Sequence, residues 1–274
     1  MKNKISITVI IPCFNSSKTL IRAIESVVKQ SKLPKEVILI DDCSVDDFKT
    51  LKEIEKCKKI LECSYINVVV IKNKFNLGPG ESRNKGCSIS QGKYIAFLDS
   101  DDSWLEEKLE TQHDFMEKNQ EFFLSCHDSY YIKNKFNIKN HVLIKEKYIS
   151  GFKITLLKMF FKNFVQTRTV MFRNNKLIKF NNNLRYAEDY DLWLRLLINN
   201  NNLFYINKKL ANCFIMPGFS QGLSSDLLLF WINEIFVLFR NGIKVKKALV
   251  ILPLILIFSF IKFIIRIIKF KLVF

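Results

Sequence analysis

Three carboxylates, Asp99, Asp101 and Asp102, lie within four positions and directly follow the apolar run 94–98. That run has the composition of a strand. Neighbouring negative charges repel, so a fold keeps them together when something offsets their charge. Hard divalent cations such as Mg²⁺ bind carboxylate oxygens together with substrate phosphates. The cluster therefore indicates either a cation and phosphate site or a solvated acidic turn that caps a helix beginning near Trp104.

A second acidic pair, Asp41 and Asp42, follows the strand-like residues 36–40. The carboxyl ends of parallel strands meet at one edge of an open α/β sheet, where ligands bind. We therefore expect this pair and the 99–102 cluster to serve a single site. A third pair, Glu188 and Asp189, begins a helix-like stretch, where acidic residues either complement the helix dipole or take part in chemistry.

The segments that must position these residues alternate between strands and helices. Apolar runs predict strands at 5–11, 36–40, 66–71 and 94–98, and helical spacing predicts helices at 20–28, 48–61 and around 82–84. This β-α-β-α-β-α-β order predicts a parallel sheet covered by helices. Beyond Trp104 the pattern predicts a helix at 105–118, strands at 122–126 and 166–173, and a helix from Tyr186.

The composition is that of a globular chain with an unusual charge. The 274 residues suffice for one large domain, and 49% of them are hydrophobic. The seven cysteines are odd in number and form no CxxC pair, which favours reduced thiols in the cytosol over disulfides or a zinc site. The formal charge of +17 suits an anionic membrane or a nucleic acid. The chain lacks a recognisable nucleic-acid reading motif, and its C-terminal basic residues alternate with apolar ones, which favours the membrane.

The C-terminal region 227–274 is apolar and basic. Residues 227–240 predict an amphipathic helix, and the uncharged stretch 248–261 contains Pro253 and is shorter than the roughly 20 residues that span a bilayer. Lys262, Arg266 and Lys269 follow on one helix face, which is typical of a helix that lies in the membrane interface. A span in which the basic side chains snorkel, or a core helix of the globular domain, are the alternatives.

Taken together, five motifs resemble those of bacterial family 2 glycosyltransferases of the GT-A fold. They are residues 9–15 (VIIPCFN), 40–46 (IDDCSVD), 78–86, 97–102 (FLDSDD) and 188–193 (EDYDLW), in an order that spans roughly 5–200. The resemblance implies an α/β fold: a Rossmann-like nucleotide-sugar-binding domain with a mostly parallel central sheet, plus a helical, membrane-associating C-terminal tail. It divides the chain into a glycosyltransferase domain at 1–226, made of a nucleotide-sugar-binding half (1–102) and an acceptor-side half (103–226), and the tail at 227–274.

The resemblance also implies roles for individual residues. The nucleotide-sugar-binding residues would be Pro12, Phe14, Asn15, Asp42, Arg83, Asp99 and Asp101. Pro12 and Phe14 would line the base, and Asp42 would accept a hydrogen bond from it. Asp102, with Asp101, would hold a Mg²⁺ or Mn²⁺ that offsets charge on the leaving diphosphate. Asp189 would be the general base, and its neighbour Glu188 would raise the local negative charge.

The implied activity is that of an inverting, metal-dependent transferase of the hexosyltransferase type. Its donor would be a UDP-, dTDP- or GDP-linked sugar, and its acceptor a hydroxyl of a glycan or lipid-linked intermediate in bacterial surface polysaccharide synthesis, of the lipopolysaccharide, O-antigen or capsule type. We expect it at the cytoplasmic face of the inner membrane, as a peripheral or monotopic protein that binds no nucleic acid. The alternative is a non-catalytic nucleotide-binding or membrane-scaffold protein with the same fold.

Overall fold

The computed structural model describes residues 3–132, 149–176, 178–214 and 226–271. Within these ranges nine strands form one sheet, with helices on both of its faces. The strands are β1 (Lys4–Cys13), β2 (Leu33–Asp41), β3 (Asn67–Lys72), β4 (Tyr94–Phe97), β5 (Ser103–Trp104), β6 (Leu124–Ile132), β7 (Gly151–Ile154), β8 (Met171–Arg173) and β9 (Leu203–Phe214). The helices are α1 (Leu20–Val28), α2 (Lys49–Cys63), α3 (Pro79–Ile89), α4 (Lys108–Lys118), α5 (Leu156–Phe161), α6 (Glu188–Ile198), α7 (Leu227–Gly242) and α8 (Lys246–Lys271).

The sheet has a parallel part and a mixed part. Strands β3, β2, β1 and β4 lie side by side and are all parallel, which confirms the arrangement predicted for the first hundred residues. Strand β8 then pairs antiparallel with both β4 and β6. Strand β9 runs parallel to β6 and antiparallel to β5 and β7. The later strands therefore add both parallel and antiparallel neighbours beyond β4, and the complete sheet is mixed.

The central strands are buried on both faces, so their sequences are almost continuously apolar. Side chains alternate between the faces of a strand, and Ile10 joins one core while Val9 and Ile11 join the other. Helix α3 lies very close to β1, because a Cβ on Gly86 would stand 2.6 Å from the Ile10 side chain. This close approach fixes the helix that carries Arg83.

Several segments after residue 102 differ from the prediction, among them the short elements β5, β7 and α5, which were not predicted. The helix expected at 105–118 begins at Lys108; the chain before it pairs with β9 as β5, and the Leu105 amide donates to the Leu210 carbonyl. The strand expected at 166–173 is a 3₁₀ turn at Thr167–Thr169 followed by the short β8. Strand β9, with twelve residues, was not predicted at all.

The C-terminal helices form an antiparallel pair that packs on α5 and α6. Helix α8 is one continuous helix through Pro253, and its segment Ala248–Ile268, 21 residues, is long and apolar enough to cross a membrane by length and composition. This length includes Lys262 and Arg266, so the alternative of a span in which these side chains snorkel stays a prediction. Only 28% of its apolar window is buried within the protein. The buried side, which includes Ala248 and Ile255, completes the same core as Trp193 of α6.

The basic face predicted for the tail points inward in part. Lys262 Nζ and Arg266 Nη1 each lie 2.9 Å from a carboxylate oxygen of Glu234 on α7. Two of the three cations assigned to a membrane surface therefore neutralise a buried carboxylate of the protein itself. The side chain of Lys269 lies outside the described residues.

Candidate active site

The loop that follows β1 presents an exposed aromatic ring. Phe14 is 46% exposed, while Pro12, the penultimate residue of β1, is partly buried beside β2. Asn15 has a positive φ of 50°, a conformation that asparagine tolerates better than most residues. Its amide donates to Ser44 Oγ (3.0 Å), and its side-chain oxygen accepts from the Val45 amide (2.9 Å). Asn15 therefore ties the loops after β1 and β2 together and fixes the position of Phe14.

Asp42, at the end of β2, is buried and organises a neighbouring loop. Its Oδ1 accepts from Asn73 Nδ2 (2.8 Å) and the Leu77 amide (2.9 Å), and its Oδ2 accepts from the Gly78 amide (2.8 Å). Gly78 has a φ of +88°, where a side chain would be strained. In this structure Asp42 holds the 73–78 loop, and the contact with a nucleotide base that the family resemblance implies stays a prediction.

The acidic turn after β4 lies at the same edge of the sheet as Asp42. This confirms the expectation that the two acidic clusters meet there. Ser100 Oγ is 2.7 Å from Ser16 Oγ, which joins the turn to the loop after β1. The Asp102 amide donates to the Asp99 carbonyl (3.1 Å), and Arg22 donates to the carbonyl of Asp101. The Asp101 residue is exposed, whereas Asp102 is buried.

Asp102 has a partner that the sequence did not reveal. Arg168 Nη1 lies 3.1 Å from its Oδ2, and the Phe214 amide donates to its Oδ1 (3.2 Å). Burial, together with repulsion from Asp101 and Asp99, raises the pKa of Asp102 to about 7, although Arg168 opposes the shift. Among the described residues, no group of three or more His, Cys, Asp or Glu side chains is placed to hold a metal ion by itself.

Arg83 connects the acidic turn to the start of α6. Its Nη2 lies 2.7 Å from Asp99 Oδ1, and its Nη1 lies 3.4 Å from Glu188 Oε1. The guanidinium is buried between the rings of Phe97 and Phe180, at 5.8 and 5.6 Å from their centroids. Two acidic residues that are 89 positions apart in sequence (188 − 99) therefore share one buried cation. The family resemblance assigns Arg83 to the nucleotide, and the sequence gave no sign of this bridge.

Glu188 and Asp189 occupy the first turn of α6, after Ala187 in the left-handed conformation (φ 54°). Asp189 accepts from Thr167 Oγ1 at Oδ2 (3.0 Å) and from the Tyr190 amide at Oδ1 (2.7 Å). Burial raises the pKa of Asp189 even though Arg83 and these two hydrogen bonds oppose the shift. Burial and the charge of Asp189 raise the pKa of Glu188 to about 7, against the effect of Arg83. The pair therefore contains a carboxylate that is more basic than an exposed one, as a general base requires.

A cavity of about 470 Å³ opens beside Asp189. It lies between the end of α5, the start of α6 and the two C-terminal helices. Its walls include Phe161, Lys162 and Asn163, Asp189 and Tyr190, Phe230 and Glu234, and Phe258, Lys262 and Arg266. The candidate base is thus reached from the side of the protein that carries the exposed apolar helix faces.

The model of the family described as Glycosyl transferase family 2 matches residues 8–180, well over half of the chain. The chain belongs to this family. An uncharacterized glycosyltransferase of Rickettsia felis is 37% identical over 222 residues, which are 77% of this chain and 33% of that protein. This chain therefore spans about a third of that relative.

Relatives with more specific names are also similar to this family 2 chain. UDP-Glc:alpha-D-GlcNAc-diphosphoundecaprenol beta-1,3-glucosyltransferase WfgD of Escherichia coli is 31% identical over 195 residues, 71% of each chain. The amylovoran biosynthesis glycosyltransferase AmsB of Erwinia amylovora is 28% identical over 84% of this chain and 77% of that protein. Both of these relatives are named as glycosyltransferases, and AmsB is named for the biosynthesis of amylovoran.

A solved structure confirms the fold. S. aureus TarS 1–349 in complex with UDP-GlcNAc superposes with a TM-score of 0.67, at 22% identity, over 88% of this chain and 68% of that one. The predicted α/β fold of GT-A type is therefore confirmed. The family match ends before α6, so the roles of Glu188 and Asp189 depend on the geometry described above.

Proposed function

We propose that this family 2 chain transfers a sugar from a UDP-linked donor to a hydroxyl of a lipid-linked glycan, with inversion at the anomeric carbon. The observation that carries the proposal is the Arg83 bridge, because it joins the acidic turn at Asp99 to Glu188 beside the candidate base. Donor loops and base are thereby held within the reach of one side chain, as transfer between two bound substrates requires.

The donor would bind at the carboxyl edge of the parallel strands. The exposed ring of Phe14 offers a flat apolar surface for the nucleotide base, and Asn15 keeps the loop in place. Uridine is the preferred nucleotide in this proposal, since WfgD is named for UDP-Glc and TarS was solved with UDP-GlcNAc.

Asp101 and Asp102 would hold a Mg²⁺ or Mn²⁺ ion. Their chemistry fits such an ion, because a buried carboxylate with a raised pKa beside acidic neighbours regains its charged form when a cation binds. Mg²⁺ in particular is bound by one or two carboxylates plus substrate phosphates, which agrees with a site of few protein ligands. A bound ion would offset the charge that develops on the departing diphosphate. Arg168 holds the Asp102 carboxylate in place.

Asp189 would take the proton of the acceptor hydroxyl. The acceptor oxygen forms a bond to the anomeric carbon from the face opposite the diphosphate, the bond to the diphosphate oxygen breaks, and the proton passes to Asp189. Thr167 orients the carboxylate, and the raised pKa makes it a better proton acceptor. One displacement of this kind inverts the anomeric configuration.

The decisive experiment measures release of nucleoside diphosphate from a panel of UDP-, dTDP- and GDP-linked sugars. The full chain is purified in detergent, and a bacterial lipid extract supplies acceptors. We expect release from at least one UDP-sugar, with faster release when the extract is added. A chain that binds a nucleotide sugar but releases nothing from any donor, with or without extract, would be the non-catalytic nucleotide-binding protein instead.

A further inference from the structure

The cavity beside Asp189 is lined by more positive than negative charge. Lys162, Lys262 and Arg266 contribute three cations, and Glu234 is the one carboxylate among its lining residues apart from Asp189 itself. These cations come from two elements far apart in sequence, the end of α5 and the second half of α8. A cationic recess next to a catalytic base is suited to an anionic part of the substrate.

Glu234 positions two of these cations without using up their hydrogen-bond donors. Its oxygens accept from Lys262 Nζ and Arg266 Nη1, both at 2.9 Å, and Lys262 also donates to the Phe161 carbonyl (3.3 Å). An ammonium has three N–H donors and a guanidinium has five, so both groups retain donors for a further acceptor. Lys162 is exposed and lies 4.9 Å from the ring of Phe164.

The same cavity is continuous with an apolar surface. Phe161 and Phe258, on α5 and α8, meet edge to face with centroids 5.6 Å apart, and Phe230 lies under the Arg266 guanidinium at 5.3 Å. From there the outer faces of α7 and α8 carry exposed large apolar residues along most of their length. A ligand with an anionic head and a long hydrocarbon chain matches this cationic cavity and the apolar surface that adjoins it.

We propose that this cavity binds the diphosphate of a polyprenyl-diphosphate-linked acceptor, with Lys162, Lys262 and Arg266 as its ligands. This inference rests on the proposed function, which places an acceptor hydroxyl at Asp189. The diphosphate sits among the cations, the sugar attached to it extends to Asp189, and the prenyl chain leaves along the apolar faces of α7 and α8. The C-terminal helices thus supply part of the acceptor site in addition to membrane contact.

The test uses farnesyl diphosphate as the probe, titrated into the full chain in detergent while saturating UDP occupies the donor site. We expect Lys162→Gln, Lys262→Gln and Arg266→Gln each to weaken binding about tenfold, the loss expected for one charge-assisted hydrogen bond. Lys246→Gln is the matched control, because it removes the same charge from an exposed position on α8 outside the cavity, and it should bind as the native chain does.

A purely structural role for the cations makes a different prediction. If Lys262 and Arg266 served only to neutralise Glu234, then Glu234→Gln would weaken farnesyl diphosphate binding as much as Arg266→Gln does. We expect Glu234→Gln instead to bind as tightly as the native chain or more tightly, because both cations are released to the ligand. Equal losses in these two variants, or unchanged binding in Lys162→Gln and Arg266→Gln, would overturn the proposal.

Phospholipid headgroups are a second source of phosphate, and a separate measurement distinguishes them. Vesicles of phosphatidylglycerol are sedimented with the native chain and with Arg266→Gln. We expect equal sedimentation, because the cavity is specific for the diphosphate ligand. A loss of vesicle binding as large as the loss of farnesyl diphosphate binding would assign these cations to headgroups and overturn the proposal. Donor release from nucleotide sugars is measured in parallel, so a failure of the proposed function is seen independently.

Discussion

At the scale of single residues, Asp189 is the side chain on which the proposed chemistry depends most. We expect Asp189→Asn to lower the transfer rate by about 10²–10⁴, since an amide cannot accept the proton, while donor affinity changes little. Rates and donor KM measured on the same preparation separate the two effects. Glu188→Gln is the comparison variant, because it keeps the Asp189 carboxylate and removes the Glu188 charge that faces Arg83. Loss of activity in Glu188→Gln but not in Asp189→Asn would transfer the role to Glu188.

Asp102 carries the prediction for the metal ion. An asparagine at this position has a single acceptor oxygen, so it keeps the bond from either Arg168 or the Phe214 amide, and a neutral amide is a poorer ligand for a hard cation. We therefore expect Asp102→Asn to abolish turnover and to weaken UDP-sugar binding about tenfold when Mg²⁺ or Mn²⁺ is present. Isothermal titration with and without EDTA measures this.

The control for that measurement is Glu106→Gln, which removes an exposed carboxylate close in sequence. It should behave like the native chain in both buffers. Full turnover in Asp102→Asn, or in the native chain with EDTA, would refute a metal-dependent reaction.

Glu188 gives a prediction about stability and pH. Its pKa rises from 4.5 to about 7 on folding, mainly through burial. Between those values the folded protein holds a proton that the unfolded chain has lost, so stability falls as the pH rises through this window. Glu188→Gln cannot titrate, and its melting temperature should fall less between pH 5 and 8 than that of the native chain. Glu55→Gln, at an exposed position on α2, should leave the native slope unchanged. Parallel slopes for Glu188→Gln and the native chain would contradict the assignment.

At the scale of elements, the donor loops depend on Asp42 as a common acceptor. It binds the side chain of Asn73 and the amides of Leu77 and Gly78. In an asparagine one of the two carboxylate oxygens becomes an NH₂ group, which cannot accept from the N–H groups that face it. A buried hydrogen bond that is not made costs about 1–3 kcal/mol of stability. We expect Asp42→Asn to increase hydrogen exchange within residues 73–80 and to lower donor affinity. Asp47→Asn, whose side chain is 91% exposed, should change neither. Native exchange rates in Asp42→Asn would show that the loop is held by other contacts.

The elements that sequence reasoning found are those whose signal is local. Strands β1, β2 and β4 are largely buried and the edge strand β3 is partly buried, so each appears as an apolar run, and each run ends within a few residues of the observed strand. Strand β9 contains Asn207, Lys208 and Lys209 between its apolar residues, and it is placed by pairing with β6 rather than by its own composition. It was therefore missed.

The candidate site shows the same division. Its carboxylates were identified because they follow strand ends, but their counter-charges were not. Arg168 lies 66 residues from Asp102 (168 − 102), and Glu234 meets Lys262 from another helix 28 residues away. Such pairs are specified by the packing of distant elements, and no local pattern encodes them.

At the scale of the whole molecule, the C-terminal helices have two different faces. Buried residues recur on α8 at Ala248, Leu252, Ile255, Ser259 and Phe263, which is the spacing of a helix face that packs on the protein. The opposite face is apolar and exposed. Removing α8 would therefore uncover the core in addition to removing the exposed apolar face, so truncation near Gly242 is a poor test of membrane binding.

Substitutions on the exposed face give the cleaner test. Val250, Leu254, Ile257 and Ile261 follow one another along this face and are 47–82% exposed, so polar side chains there disturb no packing. We expect the fourfold change to Gln to abolish sedimentation with phosphatidylglycerol vesicles and to leave donor hydrolysis unchanged, because apolar burial contributes about 25 cal/mol per Å². Transfer to a lipid-linked acceptor should fall in parallel, whereas a change of the exposed residues Tyr65 and Ile89 to Gln, outside this face, should leave sedimentation intact.

High salt should not release the native chain from the vesicles, since insertion of apolar groups is not screened. Release by salt alone, or full vesicle binding by the fourfold variant, would show that the contact is electrostatic and that this helix face does not enter the membrane.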